Sequence, residues 1–400
     1  MKNILILTVF VCMAAVTAGQ TQFDRLLKGQ AYIRSGKADE AVGVLTEALN
    51  DNQDSRLYLE RAEAFILKGD YSKATDDLNN ANRLVPGSGE YQLARISALK
   101  RNATDALTHL ERHLSSSFRK SEKEILLDPA FSLIENGTEW KQFWKKERYG
   151  ELEKGISEIE FYISSGKIDE AEEVLYELSG RYREKDEVKF ADAMIKLVSS
   201  NYPEVITITT KLLEYDSRNE KYLRLLVKAY EGAGNFAGAS NAYTKLINME
   251  VADASLFLGR AESFRKTGEL GKALTDAEKY LDLYPEDKDG LRLAGKIVSA
   301  LGDNLKALDY FSRNLRLHPG DPGCYIDRAD SYFVSKTWDW AIKDYSMALD
   351  LDPGNSDVWL NKGIALINTG KAGDACFDFR KSFSLGNKKA TEYISRFCIK

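Results

Sequence analysis

Three stretches superpose when shifted by 34 residues: GELGKALTDAEKYLDLYP from Gly268 to Pro285, GDNLKALDYFSRNLRLHP from Gly302 to Pro319, and KTWDWAIKDYSMALDLDP from Lys336 to Pro353. Working outward from them yields ten matching units with turn residues Gly36, Gly69, Arg101, Gly166, Ser200, Gly234, Gly268, Gly302, Lys336 and Gly370. Five residues after each turn stands Ala41, Ala74, Ala106, Ala171, Val205, Ala239, Ala273, Ala307, Ala341 or Ala375. Pro86, Pro285, Pro319 and Pro353 close their units at one shared position.

Apolar residues recur at spacings of three and four on both sides of each turn, which is the period of a helix with one buried face. Each unit therefore reads as a helical hairpin. A glycine at the turn takes the left-handed backbone that ends the first helix, and the proline ends the second because it cannot continue the hydrogen-bond ladder. The small residues Gly29, Ala62, Ala94, Ala261, Gly295, Ala329 and Gly363 of the first helices are expected to face the alanine of the second, so that the helices approach closely. One such hairpin cannot bury its apolar face alone, so neighbours stack into a solenoid.

These residues resemble the tetratricopeptide repeat family from about Thr21 to Leu385, and seven units from Gly166 to Gly370 keep the 34-residue spacing without a slip. The resemblance implies an all-α fold, a right-handed superhelical solenoid of antiparallel helix pairs. It also implies a non-enzymatic protein-interaction scaffold whose first helices line a concave groove. The expected organisation is a signal peptide over 1–19, three repeats over 20–114, a degenerate repeat or connector over 115–150, seven repeats over 151–387, and a capping helix over 388–400.

Composition agrees. The chain has 400 residues, 7 Pro and 28 Gly, which excludes collagen-like and low-complexity chains. A net charge of -5 gives no support to a nucleic-acid binder. Three His and four Cys leave little for metal or acid–base chemistry, and neither a metal nor a cofactor is expected. His109 and His113, four apart on one helix face, lack a third ligand nearby in sequence. No Gly-rich phosphate loop, HExxH, GxSxG or CxxC is present, so neither catalytic residues nor a small-molecule substrate is expected.

Lys2 precedes an apolar run from Ile4 to about Val16, and Val16-Thr17-Ala18 ends in small residues suited to a signal peptidase. The mature chain is expected to be exported, not to span a membrane, and to meet a membrane only through a partner. With the Cys-bearing C-terminal end, this style looks like envelope proteins of Bacteroidota-type bacteria, periplasmic or associated with the outer membrane. An ER-lumen co-chaperone is the alternative; the sequence shows no J-domain HPD signature and ends Phe397-Cys398-Ile399-Lys400 with no retention signal.

An acidic residue follows a basic one by sixteen positions in four units: Arg61 and Asp77, Arg260 and Asp276, Arg328 and Asp344, Lys362 and Asp378. The repetition marks a salt bridge inside each hairpin rather than catalysis. Cys376 and Cys398 are either buried thiols or a disulfide, which export permits. Around Trp140, Phe143 and Trp144 the segment over 115–150 is either a degenerate hairpin packing its aromatics inward or an exposed aromatic docking patch.

By the family's pattern, the groove positions hold Lys221, Arg224, Lys228, Arg265, Arg292 and Lys296 against Glu231, Glu262 and Asp289. The last two units place Ile326, Phe333, Leu360, Ile364 and Ile367 there. Two readings stand: a solvated basic face beside an apolar contact to the cap, or a groove for an acidic, partly apolar peptide of a partner protein.

Overall fold

The structure, a computed structural model, describes residues 22–398; the expected signal peptide over 1–19 lies outside them. Among the described residues every regular element is a helix. The fold is all-α, built from antiparallel helix pairs in two compact units, the first ending at Asp253 and the second beginning at Ala254.

In the first unit three pairs come first: α1 (22–34) with α2 (Ala38–Asp51), α3 (Ser55–Leu67) with α4 (Tyr71–Leu84), and α5 (Glu90–Leu99) with α6 (Ala103–Leu114). The irregular segment follows as α7 (Glu122–Leu126), a 3-10 turn (Pro129–Leu133) and α8 (Thr138–Phe143). Three more pairs complete the unit: α9 (Glu151–Ser164) with α10 (Ile168–Tyr182), α11 (Asp186–Val198) with α12 (Tyr202–Tyr215), and α13 (Glu220–Gly232) with α14 (Phe236–Asn248). The second unit holds α15 (Ser255–Thr267) with α16 (Leu270–Leu283), α17 (Lys288–Ala300) with α18 (Asn304–Leu317), α19 (Pro322–Val334) with α20 (Trp338–Leu351), and α21 (Ser356–Asn368) with α22 (Ala372–Ser384). The short helix α23 (Ala390–Phe397) caps it.

All ten turn residues have a positive φ, including the non-glycines Arg101, Ser200 and Lys336 at 59°, 60° and 59°. A side chain in that conformation costs about 1–2 kcal/mol, which glycine avoids. Lys336 is exposed, so it has little packing to lose. Lys336→Gly is therefore expected to raise stability by about 0.5–1 kcal/mol after the entropy glycine adds to the unfolded chain; an unchanged or lower denaturation midpoint would refute this.

The ten residues five past the turns, nine Ala and Val205, are all 0% exposed. The reason differs in part from the sequence expectation. Where the first helix carries a glycine, the residue opposite is a large one nine past the turn. A Cβ on Gly295 would stand 2.4 Å from Phe311, and one on Gly363 would stand 2.5 Å from Phe379. Gly29 lies under Leu45 in the same way. The glycine makes room for a bulky partner rather than for an alanine. Ala273 and Ala307 sit inside the apolar cluster with Ala261, Leu291, Ile297 and Phe311. Ala307→Leu is expected to destabilise by about 1–3 kcal/mol through overpacking; a melting temperature equal to wild type would show that the site has room to spare.

Long-range closure occurs inside the first unit. Arg56, held by the Asp54 carboxylate at the start of α3, also donates to the Glu250 carbonyl at 3.1 Å and its carboxylate at 3.1 Å, 194 residues away. Glu250 itself has φ 54°.

Candidate functional site

The sixteen-residue pairs form within their hairpins. Arg61 meets both carboxylate oxygens of Asp77 at 2.8 and 2.7 Å, and Arg260 and Arg328 hold Asp276 and Asp344 likewise. Lys362 reaches only Oδ1 of Asp378, at 3.3 Å, and Oδ2 is left without a hydrogen bond. An ammonium is a point donor where a guanidinium is a fork. Burial pushes the Asp378 carboxyl up to about 6, against the opposing pull of Lys362. An unfolded aspartate titrates near 3.9, so the folded state binds this proton more tightly. Its contribution to stability is fully present below about pH 4 and is lost as pH rises through about 6. Lys362→Arg is expected to flatten that slope, and urea denaturation at about pH 4 and about pH 7 checks it.

The proposed groove cations fall into the two units, Lys221, Arg224 and Lys228 in the first and Arg265, Arg292 and Lys296 in the second. Most are already paired. Arg224 binds Glu220 at 2.8 Å and Asp253 at 2.9 Å. Arg265 makes a two-pronged pair with Glu262 at 2.7 Å. Arg292 and Lys296 share Asp327, at 2.6 and 3.3 Å. Three acids outside the groove positions, Glu220, Asp253 and Asp327, thus offset the positive excess counted along the sequence. Lys228 is exposed.

The apolar positions differ from expectation. Leu360, only 6% exposed, is part of a buried cluster with Leu366 and Phe379, against which Ile364 and the α23 residues Tyr393, Ile394 and Phe397 pack. It does not line an open groove. Phe333 is half-buried and stands edge-on to Trp338 at 5.1 Å. Cys376 and Cys398 are joined in a disulfide that ties α23 to α22.

The irregular segment turns most of its aromatics inward, Phe118 excepted. Phe131, Trp140 and Tyr149 are buried with Ala94, Ala98, Leu110 and Leu114 of the third pair, and Phe143 and Trp144 pack against them. Trp140 is therefore no docking residue. His109 bonds Glu90 at 2.6 Å, and His113 accepts the Lys120 backbone N–H at 3.1 Å, so the two face different partners. Burial first, then nearby Lys120, lowers His113 to about 4.

Other apolar residues of this region are exposed, and three of them, Leu126, Leu127 and Phe161, 44%, 69% and 43% exposed, surround a cleft of about 420 Å³. The doublet Leu126-Leu127, in a segment without repeat periodicity, was the sequence signal for it. A wider groove of about 890 Å³ adjoins it between α9 and α10.

The model of the tetratricopeptide repeat family matches residues 26–89, 224–288 and 258–322. The chain carries tetratricopeptide repeats. A tetratricopeptide repeat protein from Parabacteroides merdae shares the fold with a TM-score of 0.51, at 18% identity over 62% of this chain and 98% of that one. Among curated relatives, the DnaJ homolog subfamily C member 7 homolog of Dictyostelium discoideum is 21% identical, covering 84% of this chain and 63% of its own length. The DnaJ homolog subfamily C member 3 of Gallus gallus is 21% identical, covering 80% and 58%. The chain thus spans about 60% of the length of these relatives. Tetratricopeptide repeats typically mediate protein–protein interaction and are generally non-enzymatic. No helix among the described residues is long and apolar enough to cross a membrane.

Proposed function

We propose that this chain is a non-enzymatic scaffold that holds a partner protein against the first helices of its repeats. The pairing of Arg265 with Glu262, and of Arg292 and Lys296 with Asp327, carries this reading. The Arg265–Glu262 pair is partly exposed on both sides and contributes about 0–1 kcal/mol. The carboxylates of an acidic partner segment can replace Glu262 at small cost, and can join the buried Asp327 carboxylate at Arg292 and Lys296, whose side chains remain 30% and 45% exposed. The export reading draws support from the Cys376–Cys398 disulfide, since such bonds persist in oxidising compartments. In this reading the compartment is a bacterial envelope, with the chain periplasmic or associated with the outer membrane. A second reading, an ER-lumen co-chaperone, is favoured by the two DnaJ-homologue relatives.

Affinity capture from the envelope fraction tests the scaffold, with Arg292→Glu/Lys296→Glu run in parallel. A protein retained by the wild type and lost from the variant is the expected result. No protein retained by the wild type defeats the reading, and fractionation of the native cell distinguishes envelope from ER lumen.

A further inference from the structure

The irregular segment interrupts the stacking of second helices. In the regular array a second helix can meet the one before it: Lys306 of α18 reaches Glu278 of α16 at 2.7 Å, and Tyr310 reaches the same carboxylate at 3.3 Å. The residue of α10 equivalent to Lys306 is Glu170. Ahead of α10 stands α8, six residues long, in place of a full second helix. The face of α10 opens instead onto the 890 Å³ groove, lined by six glutamates, 147, 151, 158, 170, 173 and 177, against Lys154 and Arg181. Glu147 is paired with Lys154 and Glu151 with Arg181. Glu170, Glu173 and Glu177 are exposed and enter no ion pair among the described residues.

Two features turn this acidic face into a site. The groove shares Lys154 and Glu158 with the apolar cleft of Leu126, Leu127 and Phe161, so an acidic track runs directly into an apolar seat where Lys123 lies 4.0 Å over the Phe161 ring. Glu170, Glu173 and Glu177 are also spaced three and four apart, which sets them in one row of about 10 Å along α10. A ligand that follows this row needs cations at the same helical spacing.

We propose that the cleft and groove around α9 and α10 dock a basic amphipathic helix of a partner protein. Its apolar side chain sits against Leu126, Leu127 and Phe161, and its lysines or arginines lie along Glu170, Glu173 and Glu177. The helix takes the position a regular second helix holds elsewhere in the array. The charge of the row selects a basic ligand and repels nucleic acid. This inference rests on the scaffold reading only in taking a protein as ligand; its surface and its charge are separate from the first-helix cations.

The test uses the full chain and a fluorescein-labelled peptide of roughly 14 residues, leucines on one helical face and lysines on the other. Controls are the same composition with leucines scattered, and a leucine–glutamate version. The leucine–lysine peptide is expected to bind best and to weaken with salt. Glu170→Lys/Glu177→Lys and, separately, Leu127→Asp change exposed residues only, and each should weaken binding about tenfold or more, read by anisotropy. Arg292→Glu/Lys296→Glu should leave it unchanged. Equal binding of the scattered peptide, or equal binding by both docking-site variants, overturns the proposal. So does concentration-dependent self-association abolished by Leu127→Asp, which assigns the cleft to a second copy. A partner captured from the envelope fraction and retained by both variants, with the peptide arm negative, leaves the scaffold standing and removes this site. A positive peptide arm with nothing captured from the envelope does the reverse.

Discussion

Arg328→Met is expected to destabilise the second unit by about 3–5 kcal/mol, the usual cost of stranding one member of a buried ion pair. Arg328 grips both oxygens of Asp344 at 2.6 and 2.8 Å. The aspartate side chain is 2% exposed while the arginine keeps 22%, so the carboxylate is the one trapped. Without its partner Asp344 is left as a lone buried carboxylate with nothing to offset its desolvation. Removing both charges, as Arg328→Met/Asp344→Leu, is expected to recover most of the loss. Urea denaturation of the single and double variants separates charge from packing. If single and double variants lose the same amount, the pair acts by filling space.

Cys398→Ser is expected to release the cap at a cost of about 3 kcal/mol, the chain-entropy value for a loop of this size. The bond closes 22 residues. A helix of eight residues such as α23 does not persist alone in water, so its order depends on the disulfide and on packing against Phe379. Amide exchange over 390–397 should accelerate, and Leu360, Ile364 and Phe379 should become available to an apolar dye. Treatment of the wild type with reductant should reproduce both effects. Exchange that stays slow in the variant would show that packing alone holds the cap.

Much of this architecture was readable from spacing. The turn residues, the alanines five beyond them and the sixteen-residue ion pairs each repeat, and repetition separates structural from functional residues before any contact is known. What spacing could not show was pairing outside the repeat. The Arg224–Asp253 and Arg292–Asp327 contacts join residues whose acids lie off the groove positions, so a count along those positions overstated the positive charge. Leu360 was misplaced because its exposure depends on a cap that follows different rules from the array. The cleft at Leu126 and Leu127 was not legible because these leucines occupy no repeat position that would mark them as exposed. Trp140, Phe143 and Trp144 fill the core of the pattern break, while Leu126 and Leu127 remain exposed.

The contact from Arg56 to Glu250 makes the first unit behave mechanically as a hoop with a latch rather than as an open spring. A stack of hairpins stretches by small tilts at every junction. A latch across 194 residues denies it that motion until the latch gives. Both side chains are more than two-fifths exposed, so the ionic part contributes only about 0.2–1 kcal/mol and is screened by salt. Stiffness under a pulling load should accordingly be a property of the ionic medium, high in dilute buffer and soft in brine, with the hairpins themselves unchanged.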